Sequence, residues 1–207
     1  MLRLIMKFLL CSDLHANEKA ARARVDQAVD EKADFLVCAG DLGVMRERYE
    51  ETTRIVASFP GETVLVPGNG ESYEELAGVC DGLEKTTLLH GTGAVIADLP
   101  FWGLGGGVPV TPFGDWSYDF TEEEAGKMLA DCPNGAVLVS HSPPLGILDE
   151  TSSGFSAGSQ AVLDVLQERR PRLLVCGHIH DCGGRQVQSG DTLVVNAGPR
   201  GVLVEWQ

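Results

Sequence analysis

Phe8-Leu9-Leu10-Cys11-Ser12-Asp13-Leu14-His15 is a short apolar run that ends in a carboxylate and an imidazole two positions apart. Such a run, bounded by polar residues, reads as a strand buried on both faces. In an extended segment, residues two apart point to the same side, so Asp13 and His15 can share one cation. Taken alone, an Asp at this place serves equally as a turn residue or a helix cap. The pattern, however, returns. Residues 35–39 run into Gly40-Asp41, residues 64–66 into Pro67-Gly68-Asn69-Gly70-Glu71, residues 136–139 into Ser140-His141, and residues 173–176 into Gly177-His178-Ile179-His180. Each apolar run delivers metal-ligating chemistry at its carboxyl end, where open α/β sheets place their sites.

Further apolar runs at residues 94–97, 192–195 and 202–204 read as strands, and residues 18–31, 46–58, 73–80, 122–130 and 160–169 as helices. Strands and helices alternate and strands then crowd the end, which points to an α/β fold. Two helix starts carry a capping-box spacing, Ser72 with Glu75 and Thr121 with Glu124, in which each residue's side chain bonds the other's free backbone N–H. Residues 99–116 are rich in Gly and Pro and read as a structured loop. Its aromatics Phe101, Trp102, Phe113 and Trp116 either line a rim where a flat group can stack or pack into the core. Gly103 to Gly107 is not a nucleotide loop, because Val108-Pro109 follows where a helix would have to begin.

The chain of 207 residues, 43% hydrophobic, can bury one sizeable core, and a single domain over residues 1–207 is expected. The net charge of −14 repels nucleic-acid backbones and anionic membranes, so neither nonspecific nucleic acid nor membrane is an expected partner. A small phosphorylated substrate is admissible, since bound divalent cations reverse the potential inside one pocket. A homodimer is left open. Six scattered cysteines without a C-x-x-C motif fit a reduced, cytoplasmic chain, with Cys11, Cys38 and Cys176 as small buried hydrophobes. Residues 1–5 read as an extension ahead of the first strand. They resemble a signal peptide in composition, but Lys7 interrupts the apolar run and no small-residue cleavage site follows.

Four of the five histidines sit at three of these strand ends, a concentration that packing does not explain. Imidazole, carboxylate and amide donors without cysteine suit Mn²⁺, Fe or Zn²⁺ better than a structural thiolate zinc site.

The ordered set Asp13-Leu14-His15, Gly40-Asp41, Gly68-Asn69-Gly70-Glu71, His141 and Gly177-His178-Ile179-His180 resembles the calcineurin-like metallophosphoesterases. Residues 193–198 look like that family's last strand and loop, and residues 141–146 lean towards the branch near class III cyclic-nucleotide phosphodiesterases. The resemblance implies a sandwich of two mixed β-sheets flanked by helices. It assigns Asp13, His15, Asp41 and His180 to one divalent metal and Asp41, Asn69, His141 and His178 to a second, with Asp41 bridging. Hydrolysis of a small phosphodiester or phosphomonoester would follow, with catalytic roles for Asp41, Asn69 and Glu71 and a bridging water activated by its lowered pKa.

One position departs from the family pattern. Gly70 stands where the family has the histidine proposed as proton donor, a contribution typically worth ~10²–10⁴-fold. The departure motivates an alternative reading, a non-catalytic or weakly catalytic scaffold for protein binding, as in the retromer subunit of this fold. His90, the spare histidine, reads as structural, and Asn17 as a helix N-cap.

Overall fold

The computed structural model describes residues 5–206. The expected extension over residues 1–5 therefore lies, except for Ile5, outside the described residues. Eleven strands appear in the described chain: β1 Met6–Cys11, β2 Phe35–Cys38, β3 Glu62–Leu65, β4 Thr86–Leu88, β5 Thr92–Ile96, β6 Leu99–Leu104, β7 Val137–Ser140, β8 Leu173–Cys176, β9 Gln186–Ser189, β10 Thr192–Asn196 and β11 Val202–Trp206. The helices are α1 Glu18–Asp30, α2 Tyr49–Ala57, α3 Tyr73–Cys80, α4 Glu122–Leu129 and α5 Gln160–Arg169, with a 3₁₀ turn at His180–Cys182.

The strands form two mixed sheets, one ordered β11-β1-β2-β3-β4 and the other β5-β6-β7-β8-β10-β9. In the first, β1 to β4 run parallel and β11 pairs antiparallel with β1. In the second, β6, β7, β8 and β10 run parallel, flanked by antiparallel β5 and β9.

Side-chain alternation along each strand builds four layers. Phe8, Leu10, Phe35, Val37 and Val64 of the first sheet meet Phe101, Val137, Val139, Val175 and Val195 of the second in one apolar layer. The opposite face of the first sheet, with Leu9, Cys11, Leu36, Cys38 and Leu65, packs on α1, α2 and α3. Leu138, Leu174, Cys176 and Val194 of the second sheet pack on α4 and α5. Every apolar run expected to be a two-sided buried strand near a ligand is thus covered on both faces. All six cysteines are free, and Cys11, Cys38 and Cys176 are wholly buried. Among the described residues no helix is long and apolar enough to cross a membrane.

Three expectations are corrected. The loop expected over residues 99–116 begins instead as strand β6, with Phe101 fully buried between the sheets. Pro100 is tolerated there because pairing with β7 starts only at Phe101. Ala97 belongs to a turn rather than a strand: Ala97 and Asp98 are both left-handed, at φ 47° and 64°, and close the β5–β6 hairpin. The helix expected from residue 46 begins at Tyr49, since Met45, Arg46 and Arg48 adopt left-handed φ in a tight turn. Both capping boxes form at α3 and α4, and Asn17 caps α1 by accepting the Ala20 N–H at 3.0 Å.

Candidate metal centre

The loops that leave β1, β2, β3, β7 and β8 open on one edge of the sandwich and are stitched together through their backbones. The N–H groups of Asp13 and His15 donate to the carbonyls of Gly40 and Asp41 at 3.0 and 2.9 Å, and Gly177 N–H donates to His141 O at 3.0 Å. Gly40 and Gly68 touch backbone to backbone: a Cβ on Gly40 would stand 2.5 Å from Gly68 Cα, and one on Gly68 would stand 2.1 Å from Asp41 Oδ1. The glycine before each ligand is therefore what lets these two loops meet. Asp13, His15, Asp41 and His178 all hold left-handed backbone, at φ 56°, 47°, 56° and 65°. Each such non-glycine residue costs on the order of 1–3 kcal/mol, and strain of this kind gathers where a fold over-determines a functional geometry.

Asp13, His15, Asp41 and His180 form one group, with ligand atoms all within 4.8 Å of one another. His15 Nε2 lies 3.0 Å from His180 Nε2 and 3.7 Å from Asp41 Oδ2, while His180 Nε2 lies 3.6 Å from Asp13 Oδ1. Asp13 is further fixed by the His178 N–H, which donates to its Oδ1 at 3.0 Å, and by the Ser12 hydroxyl.

Asp41, Asn69, His141 and His178 form a second group. Asn69 Oδ1 lies 3.1 Å from both His141 Nε2 and His178 Nδ1, and Asp41 Oδ1 lies 3.5 Å from His141 Nε2. His141 Nδ1 faces the Ala39 carbonyl at 2.7 Å. A carbonyl only accepts, so Nδ1 carries a hydrogen, and Nε2 faces the oxygens of Asn69 and Asp41, to which it presents a lone pair in the neutral form that a metal takes. Neutral imidazoles, a carboxylate and an amide oxygen gathered at these distances form a donor set that fits a divalent metal. Asp41 directs one oxygen to each group.

The electrostatics show a centre whose carboxylates attract positive charge, whether a proton on His141 or a cation. Burial would depress His141, but the Asp41 and Asp13 carboxylates and the Ala39 carbonyl raise it above its ordinary value. Burial, reinforced by His141, pushes His178 down to about 3, so that ring is neutral at pH 7, as a ligand must be. Burial would raise Asp13, yet contact with His180, the charge of His141 and the Ser12 bond hold it at about 2. The site is a negative pocket that favours positive charge.

Glu71 sits beneath the centre. It is wholly buried and accepts the N–H groups of Gly43 and Gly68 at 2.9 and 2.8 Å, holding the β2 and β3 loops together. Burial and the nearby Asp41 charge push it up to about 7 against those bonds. Gly70 N–H donates to Asp41 Oδ1 at 2.8 Å. His90 lies among Tyr73, Tyr118 and Phe120, with Nδ1 accepting the Gly105 N–H at 3.0 Å.

Sequence pattern alone does not single out the residues that orient the ligands. Asn69 Nδ2 donates to Ser117 Oγ at 3.0 Å, Ser117 Oγ donates to Asp119 Oδ1 at 2.7 Å, and Thr111 Oγ1 donates to Asp119 Oδ2 at 2.6 Å. Asn196 Nδ2 donates to the carbonyls of Gly177 and Ile179 at 3.0 and 3.1 Å, holding the loop that carries His178 and His180. The only advance signal for these was Asn196, inside the last strand and loop of the family pattern.

A cavity of about 730 Å³ opens beside the centre, bounded by His15, Asp41, Asn69, His178 and His180 on one side and by Phe113, Trp116 and Phe155 on the other. A second, of about 500 Å³, lies across His15 and His180 and includes Arg200. Of the four aromatics weighed for the rim, Phe113 and Trp116 line it. Phe101 is core, and Trp102 packs against α4, donating its Nε1–H to Met128 O at 3.1 Å.

A family model described as calcineurin-like phosphoesterase matches residues 6–182. The human metallophosphoesterase domain-containing protein 1 is 29% identical over 147 residues, which cover 67% of this chain and 41% of that protein. The chain thus matches about two fifths of the length of that relative. Among solved structures, the protein TT1561 of Thermus thermophilus is 20% identical with a TM-score of 0.75, covering 94% of this chain and 90% of its own. A dimetal phosphatase from Danio rerio is 13% identical with a TM-score of 0.59, covering 92% and 86%.

Proposed function

The chain belongs to the calcineurin-like phosphoesterase family, and from that premise we propose that it hydrolyses a small phosphodiester or phosphomonoester with the help of two divalent metal ions. The observation that carries this reading is Asp41, whose Oδ2 and Oδ1 face the two donor groups, Asp13-His15-His180 and Asn69-His141-His178. Divalent cations, when bound, supply Lewis acidity towards phosphoryl oxygens and lower the pKa of water.

The chain's own residues supply positioning. Asn69 adds an oxygen donor without adding negative charge, and its amide is turned by Ser117 so that Oδ1 faces inward. His15 and His180 form the open edge of the centre, with side chains 35% and 60% exposed, and the phosphate enters there. Glu71 acts from below as a clasp on the loops of Asp41 and Asn69. Manganese is a fitting metal for this oxygen- and nitrogen-rich set, and six free cysteines accord with a reducing cytoplasmic setting.

The test is turnover of bis-p-nitrophenyl phosphate and p-nitrophenyl phosphate by metal-stripped protein resupplied with Mn²⁺. Activity that needs metal and is lost in Asp41→Ala is expected. Two bound metals per chain without turnover would instead favour a protein-binding scaffold.

A further inference from the structure

The cavity beside the centre is unlike the rest of the molecule. The chain is strongly acidic on the whole, yet the wall facing the ligands is apolar, built from Val110, Phe113, Trp116 and Phe155 with Pro109 and Pro112. Val110, Phe113 and Phe155 are 58%, 51% and 67% exposed, and each is a large side chain held in water beside polar chemistry. Phe113 and Trp116 lie nearly parallel, with ring centroids 5.7 Å apart and 9° between planes. The two rings stack on each other and both line the cavity, so the pair offers it aromatic surface against which a flat partner can pack. The loop that bears them is braced by Thr111, whose N–H and hydroxyl both reach Asp119, and Asp119 in turn holds Ser117 against Asn69. The aromatic wall is therefore set in place by the same network that orients a ligand of the centre.

Charge narrows the occupant. Among the described residues no lysine or arginine lines this cavity, and Asp181 lies at its edge with its carboxylate taken by the Ser152 N–H at 2.8 Å. A polyphosphate chain or a second anionic group would find no cation in this cavity; the arginine near the centre, Arg200, lines the other cavity, across His15 and His180. At about 730 Å³ the space falls within the range of small-ligand sites, which span roughly 300–1,000 Å³.

Proton supply narrows it again, and independently. The titratable side chains lining the cavity are His15, Asp41, His178, His180 and Asp181. The first four belong to the donor groups, Asp181 stands at the edge with Oδ2 bonded to the Ser152 N–H, and position 70 offers only a hydrogen, so no side chain corresponds to the family's histidine donor. A leaving oxygen that must be protonated as it departs is poorly served, whereas a phenolic oxygen leaves as a stabilised anion.

Resting on the phosphoesterase reading, we propose that the cavity is a ring-binding subsite and that the substrate is an aryl phosphoester: a single phosphate group joined to an uncharged aromatic moiety through a phenolic oxygen. Water's oxygen forms the new bond to phosphorus, and the phosphorus–aryl oxygen bond breaks. The phenolate keeps the electron pair, and solvent takes up the water's proton and returns one to the phenolate.

The experiment measures, by calorimetry on the Mn²⁺-loaded protein, the dissociation constants of 1-naphthylphosphonate and methylphosphonate, which cannot be hydrolysed. It does so for wild type and for the variants Trp116→Ser and Phe113→Ser/Trp116→Ser/Phe155→Ser, whose changes lie on the cavity wall. Naphthylphosphonate is expected to bind at least about tenfold more tightly than methylphosphonate, as ring stacking allows. That preference is expected to shrink in Trp116→Ser and vanish in the triple variant. Equal affinities in wild type, or a preference that survives the triple variant, would overturn the proposal. Naphthylphosphonate binding that needs no metal but still needs Trp116 would support the ring site and count against the phosphoesterase reading alone. Failure of both phosphonates to bind would overturn both.

Discussion

Gly70 is the residue at which the family pattern and this chain part, and the local geometry says how much room the difference leaves. A Cβ there would stand 3.2 Å from Asp41 Oδ1 and 3.3 Å from Gly43 O, so its neighbours must give by only a few tenths of an ångström. Its φ is not left-handed, so a side chain is not barred by the backbone. Gly70→His is therefore expected to raise turnover of an alkyl phosphoester by up to ~10²-fold, with a much smaller gain on an aryl ester. Gly70→Ala serves as the control for the added bulk, and initial rates on the paired substrates check it. Ser117 makes the complementary case. Its hydroxyl accepts from Asn69 Nδ2, and partners that orient ligands commonly change metal affinity or activity by ~10–100-fold. Ser117→Ala is expected to weaken Mn²⁺ binding on that order, read by competition with a chelating dye, while thermal stability of the metal-free protein stays close to wild type. The seven candidate ligands were legible through their recurrence at successive strand ends and their match to the family's ordered motifs, since Asp13, Asp41 and Asn69 taken singly read as turn or cap residues. Ser117, Asp119 and Phe155 were not, because serine, aspartate and an isolated phenylalanine in a loop have no periodicity to betray them.

At the scale of elements, the same contrast has a geometric cause. β1, β2, β7 and β8 are buried on both faces, so their sequences are nearly continuous apolar runs and announce themselves. β9 lies at a sheet edge with Gln186, Val187 and Gln188 exposed, and gives no such run. β6 was hidden by its Pro and Gly, although Phe101 and Leu104 fill the core. Helix starts were readable where chemistry demands a reciprocal bond. Ser72 N–H donates to Glu75 Oε2 at 2.7 Å, and Glu75 N–H donates to Ser72 Oγ at 3.3 Å. The start of α2 was not, because it follows a left-handed turn with no side-chain cap. Loss of an N-cap typically costs ~1 kcal/mol, which in a domain of this size moves Tm by roughly 2–4 °C. Ser72→Ala is expected to show that decrease by calorimetry, with the larger part of any loss of Mn²⁺ affinity traced to the Gly68–Glu71 loop that leads into α3.

For the whole molecule, two sheets that share one apolar layer bring five strand ends to a single edge, and that convergence lets residues as distant as Asp13 and His178 touch. The net charge of −14 leaves the outer surface hostile to polyanions. The apolar wall and the cation-seeking centre give one cavity a separate character. Everything chemical in this molecule turns on whether Asp41 joins two metal sites. The decisive measurement is the number of Mn²⁺ ions bound per chain, counted by elemental analysis after equilibrium dialysis, for wild type, His180→Ala, His141→Ala and Asp41→Ala. Two ions in wild type, one in each histidine variant and a loss at both sites in Asp41→Ala are expected. One ion or none in wild type, or two ions retained in Asp41→Ala, would contradict it.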